Sequence, residues 1–428
     1  LSHSAFQLDR RRFLGGAATL GALALRPTRA VATAAPATAM PLRSWTALQA
    51  LADRYVAGRK VAGMIIGVGL GDALADYVSA GTLGWERAAR PDPASIFRIY
   101  SMTKPVTGVL ATMLIADGKL GLDQPIADFL PAFANMRVAT DPARGLDGTP
   151  AKTAISVRHL LTHTAGLTYH FQPNSAVARA YRAHGLMPGL RTLGREPGDG
   201  AHPSSLQAFA EAVAKLPLVA EPGTTWHYSI SIDVLGAVIE KAGGAPLGDQ
   251  MRTRLFDPLG MTDTGFAVAA HAMDRFATNY LLQDGKLVAI DVPPKTEYAD
   301  AGPYPSGGGG LVSTAADYLR FLRALADGGR LDGNSVIAPA AVRMATSNLL
   351  PAGVAYEGNQ GFGAGGRVVI APGGGIMGSF GWGGAAGTLA STVPGQRLSA
   401  VLMTQYMPQQ AYPLPVEFAR AIMTDMAV

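Results

Sequence analysis

The 428-residue chain contains no cysteine. Disulfide scaffolds, cysteine-ligated zinc, iron–sulfur clusters and thiol nucleophiles are excluded, while the compartment is left open. Charge is scarce too, at 16% of residues, against roughly a quarter in average domains. With 48% of residues hydrophobic, the composition excludes a disordered chain. No apolar run is long enough to cross about 30 Å of hydrocarbon as a helix, so no transmembrane helix is expected. No Gly-x-Ser-x-Gly elbow occurs, which argues against a conventional Ser-His-Asp hydrolase. Residues 307–310 are four glycines, but no Gly-Lys-Ser/Thr follows them, so the run reads as close packing and not as a phosphate loop. Turn formers, in contrast, are plentiful, with 52 Gly and 29 Pro.

The net charge of +5 is unevenly placed. Residues 1–39 hold Arg10, Arg11, Arg12, Arg26 and Arg29 against Asp9 alone, so +4 lies there and +1 remains for the rest. A body so nearly neutral has no cationic stripe to follow a phosphate backbone, and nucleic acid is not an expected partner. Arg10-Arg11-Arg12-Phe13-Leu14, an apolar Gly/Ala-rich run over 15–25 and Ala37-Thr38-Ala39 together resemble a twin-arginine export signal. That likeness implies a periplasmic or secreted protein, or a cytoplasmic one if the leader is not functional.

Beyond the leader, Trp45, Leu48, Leu51 and Tyr55 predict a helix over 44–58. Apolar runs over 62–70 and 75–80 around Gly71-Asp72 predict a hairpin. Val106, Val109, Leu110, Met113 and Leu114 lie on one face of a helix predicted from Tyr100 to Asp117-Gly118. Short helical pieces follow to about 260, including 206–215 and 232–241. Ser313-Thr314-Ala315-Ala316-Asp317 reads as a capping box opening a helix to Leu325. Runs over 387–393 and 397–405 flank Pro394-Gly395-Gln396 as a second hairpin, before a last helix from about Val416. Strands at both ends with helices between predict one antiparallel sheet built from residues of about 40–100 and 262–428. The helical middle, about 101–261, is then an insertion within a domain of residues 40–428.

Ser101-Met102-Thr103-Lys104 stands at the start of the second predicted helix. Three-residue separation places both side chains on one face, about 5 to 6 Å apart at Cβ, so the amine can reach the hydroxyl. An amine is a useful base only where burial or a neighbouring cation lowers its pKa, and a helix N-terminus adds positive potential there. A single Ser-x-x-Lys match is common by chance in helices. Its company narrows the possibilities: Ser156-Val157-Arg158-His159-Leu160-Leu161-Thr162-His163-Thr164-Ala165-Gly166-Leu167, then Glu221-Pro222-Gly223-Thr224-Thr225-Trp226-His227-Tyr228-Ser229, then Gly308-Gly309-Gly310-Leu311-Val312-Ser313-Thr314-Ala315-Ala316-Asp317.

In that order, over about residues 40–425, these segments resemble the serine β-lactamase and penicillin-binding family, particularly its class C branch and the related family VIII carboxylesterases. The resemblance implies a β-lactamase/D,D-peptidase-like α+β fold: an antiparallel sheet flanked by helices, plus a helical subdomain. It implies that Ser101 is the acylated nucleophile, Lys104 its proton-shuttling neighbour, and Tyr228 the second-motif tyrosine. Which of Lys104 and Tyr228 is the ground-state base is left open. Two departures matter. Ile230 stands where β-lactamases carry the Asn of Tyr-x-Asn, and Lys-Thr-Gly is absent in its usual form, since Lys295-Thr296-Glu297 lacks the glycine and lies in a Pro-rich loop. Trp382-Gly383-Gly384-Ala385 is similar to the Trp-Gly-Gly of the esterase branch, its small residues letting backbone approach substrate. The backbone N–H groups of Ser101 and Ala385 would then form the oxyanion hole, each donor lowering the barrier by about 3 to 4 kcal/mol.

The expected activity is therefore serine ester hydrolysis through an acyl-enzyme, on a small-molecule ester of about two to six acyl carbons, with Trp382, Gly383 and Gly384 lining the substrate. Weak β-lactam hydrolysis is compatible with it. A class C-like β-lactamase or D,D-peptidase is the main alternative, which Ile230 and the missing Lys-Thr-Gly argue against. An acyltransferase would use the same residues, and a silent ligand-binding module would not need all three. His159 and His163 have helical spacing, with His170 beyond, but no Glu follows His159 as in His-Glu-x-x-His. The resemblance makes that stretch a packed helix and turn, so neither metal nor other cofactor is expected. His227 is read as a neighbour positioning Tyr228, and the oligomeric state is left open.

Overall fold

Alternating apolar side chains on two segments far apart in sequence build the central layer. The computed structural model describes residues 44–189, 195–358, 360–372 and 376–427; the leader reading, residues 1–39, lies outside them. Strands β1 (Gly63–Leu70) and β2 (Asp76–Gly81) form the N-terminal hairpin. β3 (Ile96–Arg98) pairs with β4 (Val312–Thr314) in a separate short ribbon. β5 (Gln360–Phe362), β6 (Arg367–Val369), β7 (Phe380–Gly383), β8 (Leu389–Val393) and β9 (Leu398–Met403) follow near the C-terminus. β9 pairs with β1, so one antiparallel sheet of order β5-β6-β7-β8-β9-β1-β2 joins the two ends of the chain.

The main helices are α1 (Thr46–Ala57), α2 (Thr103–Ala116), α3 (Ser231–Gly243), α4 (Ala315–Ala326) and α5 (Leu414–Met426). Met64, Ile66 and Val68 of β1 and Leu398, Ala400 and Leu402 of β9 turn to one face, packing in a single cluster with Leu48, Leu51 and Tyr55 of α1 and Leu414 and Phe418 of α5. Ile65, Val401 and Met403 turn to the other, where α4 lies. Gly67 and Gly69 stand on that second face, where a Cβ at Gly67 would meet the Tyr77 ring of β2 and then Leu319 of α4, and one at Gly69 would meet the Arg323 side chain of α4. Residues 101–261 contribute α2 and α3, and α2 is buried from Thr103 to Leu114.

Local departures from the sequence expectations have local causes. The helix expected from Tyr100 begins as a 3₁₀ turn, Tyr100–Met102, and becomes α-helical at Thr103. At α4, Thr314 caps by accepting the Asp317 N–H, but the Asp317 carboxylate does not complete a capping box; it accepts from Asp263 N and Thr264 Oγ1. The last helix starts at Leu414. Asn279–Gln283 and Lys286–Asp291 form a further hairpin outside the expected strands, and its Asp284-Gly285 turn, with φ of 48° and 76°, is a strong hairpin signal.

Candidate active site

Arg98 anchors the chain just before Ser101. Fully buried, it bonds Asp291 Oδ2 at 2.9 Å and Ala277 O at 2.6 Å, and its guanidinium carbon lies 3.8 Å from the Phe276 ring centroid. A charge removed from water is tolerated only with such partners. Tyr100 then adopts φ of +41°, a left-handed value rare for a bulky residue, and its hydroxyl accepts from Asn279 Nδ2 at 3.0 Å. The anchored bend delivers Ser101 to the 3₁₀ turn and Lys104 to the first turn of α2.

There the structure brings the three principal expected residues together. Lys104, with no exposed surface, donates from Nζ to Ser101 Oγ at 3.1 Å and to the Gly308 carbonyl at 2.6 Å. Tyr228 OH lies 2.6 Å from the same Ser101 Oγ. Lys104 Nζ stands 4.8 Å from the Tyr228 ring centroid and 5.5 Å from that of Tyr169, so the amine lies against both rings. The 307–310 glycine run, expected as close packing, also supplies the Gly308 carbonyl that holds the lysine.

Trp382 is half-buried, and its Nε1 lies 3.5 Å from Tyr228 OH. The requirement for glycine at 384 comes from the protein itself: a Cβ there would collide with the Ile99 carbonyl and Thr388 Oγ1. The end of β7 is thus held against the chain two residues before Ser101, with Ala385 next in sequence. At Gly383 a Cβ would meet Gln409 Nε2.

The three histidines have separate tasks. His159 Nδ1 accepts from Ser156 N at 3.2 Å and completes a capping box on the helix Val157–Leu161. His163 lies under Tyr228, ring centroids 4.9 Å apart, and its Nδ1 accepts from Ser229 N at 3.3 Å. Burial, and secondarily the Lys104 charge, push His163 well below the usual histidine range, so it is a neutral prop. His170 packs edge-on to Tyr169 and Phe171. Among the described residues no group of three His, Cys, Asp or Glu side chains could hold a metal ion. His227 is tied through its backbone N–H to His163 O at 2.8 Å, which fixes the residue before Tyr228.

Sequence inspection missed Tyr169 and Asp233. Burial, then the proximity of Tyr228, push the Tyr169 phenol well above its ordinary value. Asp233 is a carboxylate in an otherwise apolar helical run, and that incongruity was the available signal.

A serine hydroxyl contacted by a lysine amine and a tyrosine hydroxyl, beside an antiparallel sheet and at the mouth of a buried helix, defines a serine hydrolase. The Beta-lactamase family profile matches residues 48–420, and the chain belongs to that family. It is 38% identical to Protein Rv1367c of Mycobacterium tuberculosis over 346 residues, covering 77% of this chain and 80% of the relative. It is 32% identical to Esterase EstB of Burkholderia gladioli over 296 residues, covering 65% and 69% respectively. Among solved structures it superposes on EstCE1, described as a hydrolase with promiscuous acyltransferase activity, with a TM-score of 0.73 at 26% identity, covering 88% of this chain and 97% of the other. No helix among the described residues is long and apolar enough to cross a membrane.

Proposed function

We propose that the protein hydrolyses short-chain carboxylic esters through an acyl-enzyme on Ser101. The observation carrying this reading is the pair of proton-transfer groups on one hydroxyl, Lys104 Nζ at 3.1 Å and Tyr228 OH at 2.6 Å from Ser101 Oγ. Ser101 Oγ attacks the ester carbonyl carbon while its proton passes to whichever partner is deprotonated. The carbonyl oxygen takes the electron pair and rests on the N–H groups of Ser101 and Ala385, which tight packing at Gly384 supports. Collapse breaks the bond to the alcohol oxygen, which leaves with a proton. Water then adds to the acyl carbon and gives up its proton by the same route; collapse breaks the bond to Ser101 Oγ, which takes that proton back as the acid departs. An alcohol in place of that water gives acyl transfer, consistent with the activity described for EstCE1.

Ile230 has no exposed surface, so that position offers no amide to a β-lactam's acylamino group, and Trp382 offers no ammonium to its carboxylate. We therefore expect kcat/KM for p-nitrophenyl butyrate to exceed that for nitrocefin by at least about 10², or about 2.7 kcal/mol of transition-state stabilisation. Steady-state assays with both substrates on one preparation check this. Parity would contradict it and favour the β-lactamase alternative.

We further propose that residues 1–39 direct export, on the strength of Arg10-Arg11-Arg12-Phe13-Leu14. A reporter fused behind them is expected in the periplasm, and an Arg10→Lys/Arg11→Lys version is expected to stay inside. Equal distribution of the two would contradict a twin-arginine route.

A further inference from the structure

Asp233 lies on the first turn of α3, has no exposed surface, and touches neither Ser101 nor any position assigned to substrate. A carboxylate so placed is costly unless it is bonded. Its Oδ1 accepts from Ser306 Oγ at 2.6 Å and from Gly308 N at 3.0 Å, while Oδ2 has no hydrogen-bond partner. Gly308 is the residue whose carbonyl receives Lys104 Nζ at 2.6 Å. One residue is therefore gripped at both ends, its N–H by Asp233 and its C=O by the lysine.

The surrounding contacts show how closely this segment is set. Thr107 Oγ1 donates to Gly307 O at 2.6 Å, and Leu311 N donates to Thr103 Oγ1 at 3.1 Å, so α2 holds the loop on either side of Gly308. Asp233 is the tie from α3. A Cβ on Gly308 would run into Asp233 Oδ2, although the backbone there is not in the left-handed region and an alanine could adopt it. The glycine is thus demanded by the carboxylate's approach. Burial pushes Asp233 above the ordinary carboxylate range, and the Lys104 charge and the Ser306 and Gly308 bonds oppose that.

We propose that Asp233 is a positioning residue: by fixing Gly308 it aims the Gly308 carbonyl at Lys104 and so holds the amine on Ser101. This rests on the Ser101–Lys104 chemistry proposed above and assigns it a support that the sequence motifs do not contain. A lysine on a flexible four-carbon stem has large rotamer freedom, which the contacts of Lys104 Nζ with Ser101 Oγ and the Gly308 carbonyl restrict. Letting one drift by about 1 Å costs on the order of 10² in rate without weakening substrate binding.

The test measures kcat, KM and the p-nitrophenol burst with p-nitrophenyl butyrate for wild type, D233A, D233N and G308A, with circular dichroism and thermal melts alongside. D233A is expected to lose about 10² in kcat with KM within about threefold, because positioning acts on the chemical step. D233N keeps an oxygen acceptor for Ser306 and Gly308, and is expected to recover at least about tenfold of that loss. G308A, which drives a methyl group at Asp233, is expected to lose at least about tenfold in kcat with a similar KM. A folded D233A within about twofold of wild-type kcat, or a D233N as impaired as D233A, would overturn the proposal. If D233A does not fold, G308A decides, and wild-type kcat in it would overturn the proposal equally. A wild-type protein that gives no burst and no turnover would instead overturn the esterase reading itself.

Discussion

Ser101→Ala is expected to cut the kcat for p-nitrophenyl butyrate to less than about 10⁻⁴ of wild type, the depth seen when the nucleophile of a coupled catalytic unit is removed. The expectation follows from geometry: Lys104 Nζ and Tyr228 OH both converge on Ser101 Oγ. With that oxygen gone, neither proton carrier has a reacting group to serve. Lys104→Ala should be of comparable severity, since members of one unit are not additive. Ser101 is half-buried in its turn and is not part of the apolar core, so an unchanged circular dichroism spectrum should accompany the loss. Retention of more than a few per cent of activity would contradict the assignment.

The second large effect is expected at Tyr228. Tyr228→Phe keeps the ring that packs, tilted, 4.9 Å from His163 and removes the hydroxyl 2.6 Å from Ser101 Oγ. It isolates proton transfer from packing. A loss of about 10² to 10⁴ in kcat is expected, the usual span for a general acid–base group, with a smaller change in KM. His227→Ala should be milder, since His227 reaches the site through its backbone N–H on the His163 carbonyl. If His227→Ala were the more damaging of the two while Tyr228→Phe stayed near wild type, the proton carrier would be misassigned by one residue.

Much of this arrangement is legible in the sequence because its elements are locally encoded. The apolar runs that become β1 and β9 declare strands buried on both faces, and the spacing of Ser101 and Lys104 is a property of one helical turn. Positions set by distant packing are less visible. β5 and β6 are three-residue strands rich in glycine or flanked by it, too short for alternation to declare itself. The glycines at 307–310 announce close packing but not their partners, because Lys104, Thr107 and Asp233 reach them from helices about 70 to 200 residues away in sequence. Gly384 looks like a substrate-facing glycine, yet the atoms that exclude a side chain there belong to Ile99 and Thr388. In each case long-range contact, and not local propensity, decides the residue.

The most direct measurement is intact mass after rapid quench with p-nitrophenyl butyrate, followed by digestion and peptide mapping. The account predicts one added butyryl group, located on the peptide containing Ser101, that appears within the burst and decays with turnover. It also predicts no such adduct in Ser101→Ala. Turnover without a covalent intermediate, or an acyl group on any residue other than Ser101, would contradict it.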